Sequence, residues 1–211
     1  MEFDFTALPE QDRYRLLSNF VAPRPIALVT TLSADGVANA APMSFFNVFS
    51  QDPPILILGI QTRPDGTVKD TVTNIDANGS FCVNMVDMAL AEAMTVCGIS
   101  YEPDVDEIAT AGLTMTPATQ IRGGWIAESP CAMECKVAET IRYERRVIIL
   151  GEVVQMHVRD TCLDAAGRYV NPETYQPIAR LHADNYITSD RQFELKAPAQ
   201  PPVGIKRKTP S

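Results

Sequence analysis

The chain has 211 residues, 45% of them hydrophobic and 21% charged, with a formal net charge of −8. That length suits one ordinary domain, burying on the order of 70% of its unfolded surface without staples. The acidic balance excludes a nucleic-acid binder that works by neutralising phosphates. Apolar runs such as 55–58 and 147–150 are too short to cross a bilayer, and the acidic, mixed residues 1–12 resemble no signal region. A cytoplasmic protein bound to neither nucleic acid nor membrane is expected.

In chain order, residues 9–20 place Tyr14, Leu16, Leu17 and Phe20 on one side of a short helix that Pro23 and Pro25 stop. Residues 26–32 form an apolar, β-branched run. The Asp35-Gly36 turn follows, and residues 37–43 return, so 26–43 reads as a hairpin. A third strand covers 55–60. Asp65-Gly66-Thr67 introduces a helix starting near Val68, with Val68, Val72 and Ile75 in register and Gly79 as its stop. A fourth strand spans 80–85, and Asp87 caps a helix through about Cys97.

Residues 98–120 hold an acidic loop with Glu102, Asp104, Asp106 and Glu107, then a weak strand near Leu113. Two long strands, 131–142 and 147–158, flank a charged turn. The first alternates, with Cys131, Met133, Cys135 and Val137 inward and Glu134 and Lys136 on the opposite face. Residues 160–185 read mostly as loop, with a short strand at 186–188. The domain plan is a helical lead-in at 1–22, a barrel domain at 23–190, and an extended or disordered Pro-rich tail at 191–211. Six or so strands with inserted helices predict a mainly β (α+β) fold, a small antiparallel barrel.

Five cysteines in odd number, without CxxC, make no disulfide framework, and four residues along a strand keep Cys131 and Cys135 roughly 13 Å apart. Two histidines, His157 and His182, exclude a multi-histidine metal centre. The sequence has no GxGxxG after a strand, no P-loop and no GxSxG elbow. Rossmann, P-loop and serine-hydrolase chemistry are therefore set aside.

What remains is a cationic, hydroxyl-rich cluster, Arg63, Thr67, Lys69 and Thr71, at a helix start. Free N–H groups, a positive dipole end, a guanidinium and an ammonium together suit a terminal phosphate. The plainer alternative is that Thr67 caps the helix and Lys69 is solvated. A second stretch, residues 39–47, sets small residues beside Pro42 and then Met43, Ser44, Phe45, Phe46 and Asn47. A flat ring could approach that backbone; the alternative is a strand ending in two core phenylalanines.

Several blocks in register carry a resemblance: Pro23-Arg24-Pro25-Ile26-Ala27-Leu28-Val29-Thr30-Thr31, then Gly36, then Asn39 through Asn47. Asp52-Pro53-Pro54, Lys69-Asp70-Thr71 and Asn74-Ile75 continue it. Across residues 14–186 the chain resembles the flavin reductase-like family with the FMN-binding split barrel. The resemblance implies a split β-barrel and a homodimer with FMN near the subunit interface. Thr30 and the segment Pro42, Met43, Ser44, Phe45, Phe46, Asn47 would line the isoalloxazine and ribityl. Arg63, Lys69 and Thr71 would hold the phosphate, and Asp70 would orient Lys69 or Arg63.

The activity it implies is hydride transfer from NADH or NADPH to flavin N5, with electrons passed to free flavin, a partner monooxygenase or another acceptor. A flavoprotein electron carrier without turnover is the alternative. Where many relatives carry a glycine pair, this chain has Arg180-Leu181-His182-Ala183-Asp184-Asn185-Tyr186. His182 there would either contact substrate or block it; the alternative is a solvated loop histidine. His157 is expected to be structural, and Trp125 lines either a pocket or the core.

Overall fold

The computed structural model describes residues 1–196. Most of the predicted tail, from residue 197 onward, lies outside the described residues, and residues 191–196 carry no regular secondary structure. Helix α1 (Glu10–Phe20) leads into strands β1 (Arg24–Pro25), β2 (Ala27–Leu32), β3 (Ala38–Met43), β4 (Phe46–Gln51) and β5 (Pro54–Gln61). Helix α2 (Asp70–Asn78), β6 (Ser80–Met85), α3 (Ala91–Val96) and α4 (Glu107–Thr110) follow. Short strands β7 (Met115–Pro117) and β8 (Gly124–Ile126) precede the long hairpin β9 (Cys131–Tyr143) and β10 (Arg146–Val158). Strands β11 (Ile178–Arg180) and β12 (Tyr186–Thr188) end the described fold. No helix among the described residues is long and apolar enough to cross a membrane.

One seven-stranded sheet in the order β3-β2-β6-β9-β10-β5-β4 carries the architecture, and every pair in it is antiparallel. Its two edge strands, β3 and β4, are consecutive in the chain and joined through Ser44 and Phe45. The Gly59 N–H donates to the Phe45 carbonyl at 2.8 Å, drawing that joint back onto β5. The sheet thus curls into a barrel that stays open along one seam, the split-barrel shape that the resemblance implied. Smaller sheets β1-β11-β12 and β7-β8 stand beside it.

The curl creates two cores. Ala27, Val29, Met43, Leu58, Ile60, Phe81, Val83, Cys135 and Ile149 fill the barrel, with Val72 and Ile75 of α2 packed among them. Ile26, Leu28, Ala40, Val86, Leu90, Met94, Ile108 and Ile126 form the second core outside the sheet. Alternate residues of β2 enter different cores, so the strand is buried on both faces and reads as an unbroken apolar run. Where β10 bulges beside Leu150, a Cβ on Gly151 would sit 2.4 Å from Phe81 Cζ, so only glycine fits.

Several expectations need correction. Helix α2 begins at Asp70, not near Val68, because the Asp65-Gly66 turn spends the Thr67 hydroxyl on the Asp65 carboxylate at 2.7 Å. Thr67 therefore caps nothing, and Lys69 occupies the cap position without a side-chain cap bond. Residues 46–51 pair with β5 as a strand, which their sequence did not announce. The weak strand near Leu113 forms at Met115–Pro117, and the acidic loop contains the turn of helix α4, capped by Asp106 accepting from the Ala109 N–H at 2.9 Å.

Glu134, expected on an open face, is fully buried. Residues 119–120 fold over that face and supply its partners: the Thr119 N–H at 2.8 Å, the Thr119 hydroxyl at 3.1 Å and the Gln120 N–H at 2.6 Å. His157 Nε2 lies 2.7 Å from the same carboxylate, and Trp125 stacks on the His157 ring at 4.6 Å. Burial pushes the Glu134 carboxyl up, but these bonds outweigh it and hold the group below the usual range.

Candidate functional site: a cationic cleft at the start of α2

The loop from Arg63 to Lys69 is built by its own hydrogen bonds. The Arg63 N–H donates to the Thr67 carbonyl at 2.8 Å, and Gly66 takes the positive φ of 87° that this tight turn demands. Arg63 is held twice. One guanidinium nitrogen donates to the Val68 carbonyl, and another pairs with Asp70 Oδ2 at 2.6 Å. Asp70, the first residue of α2, thus orients Arg63. Lys69 is exposed beside them at the cap position, and the first N–H groups of α2 have no acceptor within the helix.

These groups form one wall of a cleft of about 530 Å³. Asn39 and Pro42 of β3, Gln61 at the end of β5 with Thr62 after it, residues 97–101 after α3, and Arg145 complete the lining. The end of α3 packs close to Pro42; a Cβ on Gly98 would lie 3.2 Å from the Thr95 carbonyl and 3.4 Å from Pro42 Cγ. Thr62 is 8% exposed, and its hydroxyl has no hydrogen-bond partner. A buried hydroxyl is seldom left unpaired, so this orphan marks a place where a ligand acceptor fits.

Behind that wall runs a buried polar chain. Glu107 Oε2 accepts from Asn39 Nδ2 at 2.8 Å and from the Ala40 N–H at 2.7 Å. Asn39 Oδ1 accepts from the hydroxyls of Thr31 at 3.1 Å and Thr71 at 3.0 Å. Asn74 donates to Thr31 at 3.1 Å. Because the Thr71 hydroxyl hydrogen is used by Asn39, Thr71 offers the cleft its backbone position rather than its O–H. Burial drives the Glu107 carboxyl up to about 7; the Ala40 N–H opposes this, Asp70 and Asp106 add to it, and Lys69 opposes it.

The expected site residues divide. Arg63, Lys69, Asp70, Thr71 and Pro42 line the cleft. Ser44, Phe45, Phe46 and Asn47 line a separate groove of about 420 Å³, with Leu17, Val21, Arg24, Phe49 and Arg146. Phe45 sits there beneath the Arg146 and Arg24 guanidinium groups, at 4.7 and 5.9 Å, with Tyr14 at 6.1 Å. The side chains of Thr30 and Met43 reach neither cavity: Thr30 is buried and donates to the Gly124 carbonyl at 2.6 Å, and Met43 packs into the barrel core. His182 is exposed in the turn after β11 and lines neither cavity. Its neighbour Ala183 adopts a φ of 49°, the one left-handed residue other than glycine among the described residues.

Sequence reasoning missed Thr62, Glu107, Arg145 and the role of Asn39. The Asp106 cap was a usable signal for α4, yet nothing local says that a residue 68 positions away from Asn39 meets its side chain.

An open antiparallel barrel of this topology places the chain in the split-barrel class of folds. The chain belongs to the flavin reductase-like family: residues 20–178 match its flavin reductase like domain. It is similar to the 2-nitrobenzoate 2-nitroreductase of Pseudomonas fluorescens, with 34% identity, 97% of this chain and 100% of that one covered, and a TM-score of 0.87. It is also similar to the nitrilotriacetate monooxygenase component B of Bacillus cereus, with 31% identity, 92% and 98% covered, and a TM-score of 0.87. A Shewanella frigidimarina structure described as a flavin reductase with a split barrel domain shares the fold at 22% identity and a TM-score of 0.79, covering 94% and 100%. The chain is thus a flavin oxidoreductase in the general sense of its family.

Proposed function

We propose that the chain binds FMN with its phosphate in the cleft between Thr62, Arg63 and Lys69, accepts hydride from NADH or NADPH, and passes electrons to a separate acceptor. The orphaned Thr62 hydroxyl carries this reading, because a phosphate oxygen supplies the missing partner and Arg63 and Lys69 supply the opposite charge. The residues therefore fit the group. Bound FMN supplies hydride acceptance at N5 and onward electron transfer.

The protein's share is placement. Asp70 keeps Arg63 aimed, Asn39 keeps Thr71 in place, and Pro42 shapes the cleft where β3 ends. No Rossmann unit occurs among the described residues, so the nicotinamide would have to meet the bound flavin directly rather than in a nucleotide domain of its own. Free flavin handed to a partner monooxygenase is one acceptor route, supported by likeness to a nitrilotriacetate monooxygenase component B. A nitroaromatic acceptor is the other, supported by likeness to a nitroreductase.

A homodimer belongs to the same reading, with the Ser44 to Phe49 groove as the face a second copy covers. Phe49 and Val21 line it at 67% and 61% exposed, and Ser44 follows Pro42 of the cleft by two residues. A cytoplasmic location matches a reductase fed by soluble pyridine nucleotides.

The test is to purify the protein, record its flavin absorbance, and follow NADH and NADPH oxidation with and without added FMN. The expected result is oxidation that depends on FMN. A protein that binds no FMN refutes the reading; a yellow protein inert to both nucleotides makes it an electron carrier.

A further inference from the structure

Glu107 is 8% exposed, yet it carries a carboxyl into the wall shared by the phosphate cleft and a second cavity bordered by Glu102 and Asp104. Both its hydrogen bonds fall on one oxygen and come from β3, the strand that lines the cleft. One of those donors is Asn39, whose other end receives the Thr71 hydroxyl at the first turn of α2. No cation pairs with Glu107 among the described residues. The charged groups facing it are Lys69 and Asp70 at the start of α2 and Asp106 at the cap of its own helix, with the Cys97 thiol from the end of α3.

We propose that Glu107 is a positioning residue of the phosphate cleft, fixing Asn39 and through it Thr71, and that it takes up one proton when a phosphate monoester enters. The second half rests on the FMN reading above. The physical reason is direct. A buried carboxylate without a cation and a phosphate dianion across one cleft wall repel each other in a medium of low dielectric. Adding a proton to Glu107 relieves that repulsion while leaving its carbonyl oxygen free to accept from Asn39 and Ala40. The carboxyl starts from about 7, so the proton comes from solvent at ordinary pH. The Cys97 thiol, pushed up to about 11 by burial, and the phosphate's own second ionisation near ~6 lie outside that window.

Calorimetric titration with FMN at pH 8, in two buffers of different ionisation enthalpy, counts the protons taken up; riboflavin is the control. The wild-type protein should take up most of a proton with FMN and none with riboflavin. Its FMN affinity should fall roughly tenfold per pH unit above 7 until the bound-state pKa is reached. Glu107→Gln keeps an acceptor oxygen and carries no charge, so it should take up no proton. It should match wild type near pH 6 and bind FMN more tightly than wild type at pH 8.5, a gain that damaged structure cannot produce. Asn39→Ala should bind FMN more weakly while still taking up the proton, which tests the positioning role even where Glu107→Gln does not fold.

Wild-type binding without proton uptake, with FMN still preferred over riboflavin, overturns the proposal and leaves the phosphate cleft standing. Unchanged uptake in Glu107→Gln overturns it equally. Equal binding of FMN and riboflavin by wild type overturns the phosphate reading itself.

Discussion

Replacing Arg63 and Lys69 together by alanine measures what the cleft is worth. Arg63 is pre-aimed by its 2.6 Å pair with Asp70 and its bond to the Val68 carbonyl, so little side-chain entropy remains to be lost when a phosphate binds. Each hydrogen bond to a charged group is worth ~1.5–3 kcal/mol. Arg63 and Asp70 are 36% and 33% exposed, so solvent screening favours the low end of that range. Removing two such hydrogen bonds to the phosphate costs about 3 kcal/mol, on the order of a hundredfold in dissociation constant. The single Arg63→Ala should lose more than Lys69→Ala, because it also releases an unpaired Asp70 carboxylate beside the phosphate. Titration of FMN and of riboflavin by fluorescence quenching, at low and high salt, reads the difference. FMN should weaken by about a hundredfold and its salt dependence should shrink, while riboflavin moves by less than about threefold. Equal losses for both flavins would place the phosphate elsewhere.

Three further outcomes follow from the packing. Glu134→Ala strands the Thr119 and Gln120 N–H groups and the His157 ring, and should cost ~3 kcal/mol in urea unfolding; a change below ~1 kcal/mol would mean water replaces the carboxylate. Ala183→Gly relieves a left-handed residue in the turn after β11 and should leave stability unchanged or raise it by up to ~1 kcal/mol in the same assay; a clear loss would contradict that backbone. Stability should also drift with pH in a signed way. The Glu107 carboxyl is raised to about 7 in the folded chain, so its contribution is whole below its unfolded value of ~4.3 and is lost as pH rises through 7. Glu134 is lowered, so its contribution holds above ~4.3 and is lost as pH falls through its folded value. Urea midpoints of Glu107→Gln should lack the decline between about pH 5 and 7, and parallel curves would refute the assignment.

Much of this architecture is legible in the chain because it rests on local rules. β2 and β5 announce themselves as apolar β-branched runs, the Asp35-Gly36 turn returns β2 into its neighbour β3, and Gly79 stops α2 with a φ of 65°. The cationic cluster is legible too, since Arg63, Lys69, Asp70 and Thr71 lie within nine residues and one turn sets them together. Strand β4 escaped because its partner ladder on β5, not its composition, makes it a strand. Glu134 escaped because period-two alternation reports which face a side chain takes and says nothing of a loop that later covers it.

The sequence by itself therefore determined the strands, the family and the cationic segment, all properties of spacing along the chain. Only the tertiary structure decided the cleft. It brought Thr62, Asn39, Glu107 and Arg145 to that segment, and it parted Pro42 from the Ser44 to Asn47 stretch across the seam where the barrel stays open. The reason is physical: burial, pairing and the state of a carboxyl like that of Glu107 depend on neighbours that only the closed chain supplies.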